Sequence, residues 1–295
     1  MSVPALAPSA GTPSEPAVGL DRSASPASWR RNRTLVVGVV LLAILAVMFA
    51  AAPLLTSHSP EQQDLLHVLA GPSGSHPLGT DDLGRDVWAR LLYAGRIDLA
   101  LGLAAVIAPF VLGTVLGLLA GYLGGWVDIV IMRALDVVVA FPFYVLVIAV
   151  VFALGPGVKS IFIAITAVGW VSYTRIVRGE VLVAKRIGYV QAARAAGLST
   201  PRILARHLTP NVLTQALVYA MSDIVLTILA IVTLGFLGLG VQPPTPEWGG
   251  MMQTGKDFLS IRPLLVTAPG IAVVLTGVAL SLIGDGLAAQ LGRRQ

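Results

Sequence analysis

Cysteine is absent from all 295 residues, which excludes a disulfide framework and any thiolate metal or redox site. Charge is scarce too. Asp, Glu, Lys and Arg make up 12% of the chain, about half the roughly 25% usual in a soluble domain. Hydrophobic residues reach 56% and mean hydropathy is +0.83, so most of the surface must face lipid rather than water. No GxxxxGK[ST] loop occurs, so the chain cannot cradle a nucleotide phosphate that way, and ATP hydrolysis would have to come from partners. No apolar run holds a paired Ser/His or His/Glu set, and His58, His67, His76 and His207 all lie in polar segments. A membrane-embedded hydrolase is therefore disfavoured. Carboxylates inside the apolar runs are few and no inverted repeat is visible, which weighs against the rival of a stand-alone ion-coupled secondary transporter.

What is present is a series of long apolar runs. They cover residues 34–55, 97–122, 126–154, 158–176, 212–237 and 264–288, each near or above the ~20 residues that span a bilayer. Residues 1–33 are rich in Ala, Pro and Ser and end in Arg30, Arg31 and Arg33, the composition of a disordered tail. So long a preceding region separates the first run from a signal peptide and marks it as an uncleaved helix. Lys and Arg concentrate in the tail, in 177–211 and in 291–295. The acids Glu61, Asp64, Asp81, Asp82, Asp86, Glu247 and Asp257 fall in the alternate loops, including a first outer loop at 56–96. By the positive-inside rule both termini are cytoplasmic. The net charge of +5 thus reports topology and implies no nucleic-acid partner. The expected fold is an all-α integral membrane protein of six transmembrane helices, with a permease domain over 34–290.

The polar segment 189–211, YVQAARAAGLSTPRILARHLTPN, stands out between two runs. A short helix over 191–196 meets Gly197, suited to a left-handed helix stop, and Ser199-Thr200-Pro201 suits the start of a second helix. Small Ala192, Ala195 and Ala196 would leave one face open to close approach by another protein. A DNA-binding helix-turn-helix has a similar pattern, but a recognition helix tethered between spans cannot enter a groove. The segment resembles the cytoplasmic coupling loop, the EAA loop, of ABC importer permeases. Ala192, Ala193, Gly197 and Pro210 keep its spacing, whereas Gln191, His207 and Thr209 replace the usual Glu, Ile and Leu. The resemblance implies that Gln191, Ala192, Ala193, Ala196, Gly197, Pro201, Arg206, His207 and Pro210 contact an ATPase.

Other stretches extend the likeness. His76-Pro77-Leu78-Gly79-Thr80-Asp81 with Leu83-Gly84-Arg85-Asp86, then Gly124-Gly125-Trp126-Val127-Asp128, then 235–244 with Glu247-Trp248-Gly249, and finally Gly284-Asp285-Gly286 are similar to C-type permease subunits of dipeptide and oligopeptide ABC importers. The resemblance covers roughly 34–290. It implies a type I ABC importer permease (MetI-like) fold in a bacterial cytoplasmic membrane, with a related B-type permease, two cytoplasmic ATPases that bind ATP and Mg, and an extracytoplasmic substrate-binding protein. The chain itself would be non-catalytic and bind no cofactor. Its substrate class would be di- or oligopeptides, with nickel, glutathione or haem as alternatives. Gly235 departs from a usual serine, Ile231 from a frequent glutamate, and 287–295 lacks the usual acids. Asp81, Asp82 and Asp86 match no calcium-loop spacing and are more simply paired with Arg85 and Arg90, so no metal site is expected from them.

Ionisable residues inside apolar runs cost about 2.5–3.5 kcal/mol each by insertion scales. Asp136 lies one helical turn from Arg133, which predicts a structural pair. Asp285 is near an interface. Asp223 lies about eleven residues into its run, roughly 16 Å by helical rise, with no base nearby in sequence, and is expected to face a translocation path. Gly113, Gly117 and Gly121, four apart, predict a close helix-packing seam.

Overall fold

Valine- and leucine-rich sequence opens the described structure, a computed structural model that describes residues 33–291. The expectations for residues 1–32 and 292–295 lie outside the described residues. The elements run α1 (Arg33–Ala50), α2 (Ala52–Leu55), α3 (Val87–Leu123), α4 (Gly125–Val139), α5 (Phe143–Leu154), α6 (Val158–Ala184), α7 (Gly188–Ala195), α8 (Thr200–Ile203), α9 (Thr209–Phe236), α10 (Trp248–Gly255) and α11 (Leu264–Leu291). Among the described residues there is no strand; Thr80 and Asp86 form an isolated antiparallel bridge.

Five helical stretches are long and apolar enough to cross a membrane, and α4 with α5 makes a sixth if the bent pair is one span. The third run, expected as one span with a kink at Pro142, is broken by 88° between these two. Pro142 has no N–H to donate, and the residue before a proline avoids helical geometry, so the helix ends at Ala140 and restarts at Phe143. Pro109 and Pro269, by contrast, lie within α3 and α11. Three boundaries also move. The carboxylate of Asp86 accepts from Ala89 N at 2.6 Å and starts α3 ten residues before the expected 97. The helix α6 continues to Ala184, eight residues past the expected 176. The boundary expected at 211 is not a break, because helix continues from Thr200 to Phe236.

The tightest packing lies between α3 and α6. A Cβ at Gly113 would meet Trp170 O and Tyr173 Cβ at 2.5 Å, and one at Gly117 would meet Thr174 O at 2.8 Å. Gly121 faces Val181 in the same way, as the spacing predicted. Close backbones then let Thr174 Oγ1 donate across the seam to Gly113 O at 3.2 Å. Elsewhere α1 lies along α11, and α9 packs on α3, α6 and α11. Apolar side chains such as Val37, Ile44 and Val47 on α1, or Leu103, Ile107 and Val111 on α3, point outward. In a bilayer such a surface carries no penalty, because lipid tails are as apolar as the side chains.

Candidate functional site

The hairpin begins where α6 ends. In α7, Val190 and Ala193 are buried against the bundle while Gln191, Ala192, Ala195 and Ala196 are exposed. Gly197 adopts φ +75°, and two hydrogen bonds close the helix behind it: Gly197 N to Arg194 O (2.9 Å) and Leu198 N to Ala193 O (3.1 Å). This is a Schellman stop, and its left-handed residue is the one that a side chain with a Cβ would strain. Nothing lies within 4 Å of a Cβ built there, so conformation rather than space requires glycine. Ser199 then precedes α8, with Pro201 in its first turn, as read from the sequence.

Between α8 and α9 the helix widens into a π turn at Leu204–Leu208. Pro210, two residues on, has no N–H for the carbonyl of Arg206, so the regular ladder cannot continue there. Side chains compensate. Thr209 Oγ1 donates to Leu204 O (2.8 Å) and Asn211 Nδ2 to His207 O (2.8 Å). Arg206, Pro201 and Pro210 are exposed, and His207 is half-buried. The structure thus brings the nine candidate residues onto one short hairpin. Ala193 is the exception in role, since it faces inward.

Two polar contacts moor the hairpin to the end of α3, and a third ties α6, which leads into it, to α4. Arg194 lies 4.5 Å over the Tyr122 ring and donates to its hydroxyl at 3.1 Å. Lys185 Nζ donates to Gly121 O at 2.7 Å. Arg178 Nε and its terminal nitrogen both reach Asp128, at 2.6 Å each, a bidentate pair between α6 and α4. None of these pairs was expected. The only trace of the last was Asp128 within the GGWVD stretch.

Asp223 sits half-buried on α9, where Tyr173 of α6 donates to its Oδ2 at 2.8 Å. Tyr173 also meets the Tyr219 ring edge-on at 5.0 Å. Ile231 is buried among Ala105, Val147, Ile161 and Leu234. Arg133 and Asp136 pair at 3.5 Å as expected, both well exposed, and Asp285 is exposed.

Sequence reasoning overlooked a buried acidic pair. Asp98, near the start of α3, accepts from Trp248 N at 2.9 Å, and Glu247 accepts from Gly249 N (2.6 Å) and Gly250 N (2.8 Å). Both carboxyls are about 1% exposed. Burial pushes the Glu247 carboxyl up to about 7, against the opposing pull of the two N–H groups. A Cβ on Gly235 would collide with the Glu247 carboxylate, so the acid as placed here requires glycine beside it. The signal was available: Glu247 precedes Trp248-Gly249-Gly250 as a helix N-cap.

Comparison with known proteins agrees with this architecture. Residues 113–295 match the family described as binding-protein-dependent transport system inner membrane component. The chain belongs to this family. Residues 27–72 match the N-terminal TM domain of oligopeptide transport permease C, which makes it a permease of the C type. The dipeptide transport system permease protein DppC of Alkalihalophilus pseudofirmus is 36% identical over 258 residues, covering 88% of this chain and 85% of that one. The glutathione transport system permease protein GsiD of Pectobacterium atrosepticum is 39% identical over 263 residues, covering 88% and 87%. Among solved structures, a chain of the inward-facing MetNI methionine ABC transporter superposes with TM-score 0.56 at 17% identity, over 68% of this chain and 96% of that one. The fold is therefore that of a type I, MetI-like ABC importer permease, as expected. The chain is a transport permease subunit in a multi-pass inner-membrane family.

Proposed function

We propose that the chain forms one half of the translocation path of an ATP-driven importer for di- and oligopeptides. Its B-type counterpart supplies the other half, two cytoplasmic ATPases bind ATP and Mg, and an extracytoplasmic binding protein delivers the substrate. Both named relatives carry peptide-bonded cargo, which favours peptides, glutathione included, over nickel or haem.

The observation that carries the coupling role is the continuity of the hairpin with a span. A helix closed by Gly197 presents Gln191, Ala192 and Ala196 outward, and α8 runs through the π turn into α9. Force applied to such a hairpin reaches the bundle along a helix, with Arg194 and Lys185 tying it to the end of α3. ATP biases the access state only if the closed ATPase dimer binds one arrangement of this hairpin better than the other. The hairpin end is assigned to the cytoplasm by its arginines.

Asp223 is the proposed path residue. A peptide amine is cationic whatever its sequence, so one half-buried carboxylate can attract many peptides without reading their side chains. Tyr173 would hold that carboxylate in place. The test is uptake by a reconstituted complex with its cognate ATPases and binding protein. Asp223→Asn should lower uptake of free peptides more than of N-acetylated ones while leaving assembly intact. Equal loss for both substrates would make Asp223 structural. Co-purification of ATPases and a binding protein from native membranes tests the wider assignment, and their absence from an intact complex would favour a lone carrier.

A further inference from the structure

We infer that the first outer loop carries a binding site for a divalent transition-metal ion of the zinc class, formed by His58, His76 and Asp86. Each offers one ligand atom, and these atoms lie within 4.8 Å of one another. The expectation of no metal covered Asp81, Asp82 and Asp86, and Arg85 and Arg90 do engage the first two. Arg85 Nε reaches Asp81 at 2.7 Å and a second guanidinium nitrogen reaches Asp82 at 3.6 Å, while Arg90 reaches Asp81 at 3.5 Å. Asp86 stands apart from those arginines. Its Oδ1 caps α3 and its Oδ2 meets His76 Nδ1 at 2.8 Å.

A single His–Asp bond is what any well-stitched loop contains. The second imidazole is what a stitch does not require. His58 brings its ring to 4.7 Å from that of His76, tilted by 39°, although the two residues lie on separate stretches of the loop. The three side chains border a cavity of about 130 Å³ that Ser59, Gln62, Asp64 and Gly84 complete. Such a space admits a metal ion with water as a fourth ligand, since each water takes about 30 Å³ of liquid volume.

The donor set selects the ion. Two imidazoles and one carboxylate with an open fourth position suit zinc and its neighbours, whereas calcium and magnesium take oxygen. Ligand atoms around tetrahedral zinc sit roughly 3.3 Å apart for bonds of about 2.0–2.1 Å, so the 2.8 Å contact need open only slightly. The Asp86 carboxylate is already oriented by Ala89 N. Binding would fasten residues 58 and 76 to the start of α3. The site would thus set the stiffness of the outer loop, at the end of α3 away from the hairpin.

The test uses the full chain in nanodiscs, purified without a histidine tag and stripped by chelation. Zn²⁺ is titrated in competition with a chromophoric chelator, and thermal unfolding is followed with and without Zn²⁺. We expect one Zn²⁺ per chain, a rise in unfolding temperature on addition, and an affinity lowered by about 30-fold or more in His58→Ala. His58→Gln, which keeps the bulk, should behave the same way, and His67→Ala should bind like the parent. His76 and Asp86 are unsuitable first variants, because Asp86 also caps α3. Absence of stoichiometric Zn²⁺ from the folded parent would overturn the site. So would unchanged affinity in both His58 variants.

Discussion

The two ends of α3, ~55 Å apart by the helical rise of its 37 residues, are held by different chemistry. At the start, loop 56–86 is a knot of buried and half-buried polar bonds. Asp81 takes Leu83 N, Arg85 N and the Arg85 side chain, while Arg90 reaches Pro60 O and Arg262 reaches Leu69 O. Asp81, Arg85, Asp86 and Arg90 are all buried. At the other end the hairpin's polar contacts are few and half-buried, and its attachment is mainly apolar, through buried Val190, Ala193, Ile203 and Leu208. Ala192, Ala195 and Ala196 are bare. A dense buried network rigidifies, and removing one member leaves its partner unsatisfied. A helix pair held mainly by non-directional apolar contacts has fewer such bonds to break. One end is a frame of directional bonds, and the other is the handle of the proposed coupling.

The sharpest way to break this comparison is all-or-none. If the ends face opposite sides of the membrane, single cysteines at Ser73 or Thr245 react with an impermeant thiol reagent added outside to intact cells. One at Thr200 reacts only once the membrane is opened. Labelling of Thr200→Cys in intact cells would invert the topology and remove the proposed ATPase contact with it.

The next effect is thermodynamic. Asp81→Ala leaves Arg85 buried without its main partner and should cost about 3–5 kcal/mol, read as loss of folded chain in detergent. A neutral result would show the outer knot to be less rigid than its bonds imply.

Acidity probes the same end. The Glu247 carboxyl is held at about 7, above its ordinary 4.5, so the folded state binds the extra proton between these values. Its contribution is fully present below 4.5 and lost as pH rises through about 7. Stability of the parent should fall across that window by on the order of 2–3 kcal/mol more than that of Glu247→Gln. Parallel profiles would contradict this.

At the handle, Gly197→Val forces a β-branched residue to φ +75° and should cost about 1–3 kcal/mol locally. The protein should insert normally but lose most transport and most stimulation of the partner ATPases. Normal coupling in the inserted variant would remove the hairpin from the mechanism.

The smallest effect concerns the Arg178–Asp128 pair, whose side chains are 28% and 21% exposed. A double-mutant cycle with Arg178→Gln and Asp128→Asn should give a coupling of about 1 kcal/mol, reduced by salt. A much larger value would mean that polar pairs near the hairpin rival the knot of loop 56–86.

Local chemistry is what the sequence by itself determined. Apolar run length showed the spans, Gly197 and Pro201 the hairpin, and Gly113, Gly117 and Gly121 the seam, since each depends on residues within a few turns of one another. Motif spacing carried the family for the same reason. Boundaries were harder, because α6 runs past its apolar stretch on tertiary support, and the break at Pro142 was expected only as a kink. The long-range pairs were decided by the tertiary structure alone. Asp128 and Arg178 are 50 residues apart and Asp98 and Trp248 are 150 apart, so no local pattern links them. His58 and His76 meet only because loop 56–86 folds back on itself. Buried polar groups must find partners wherever the fold brings them together, and that choice belongs to the packed bundle.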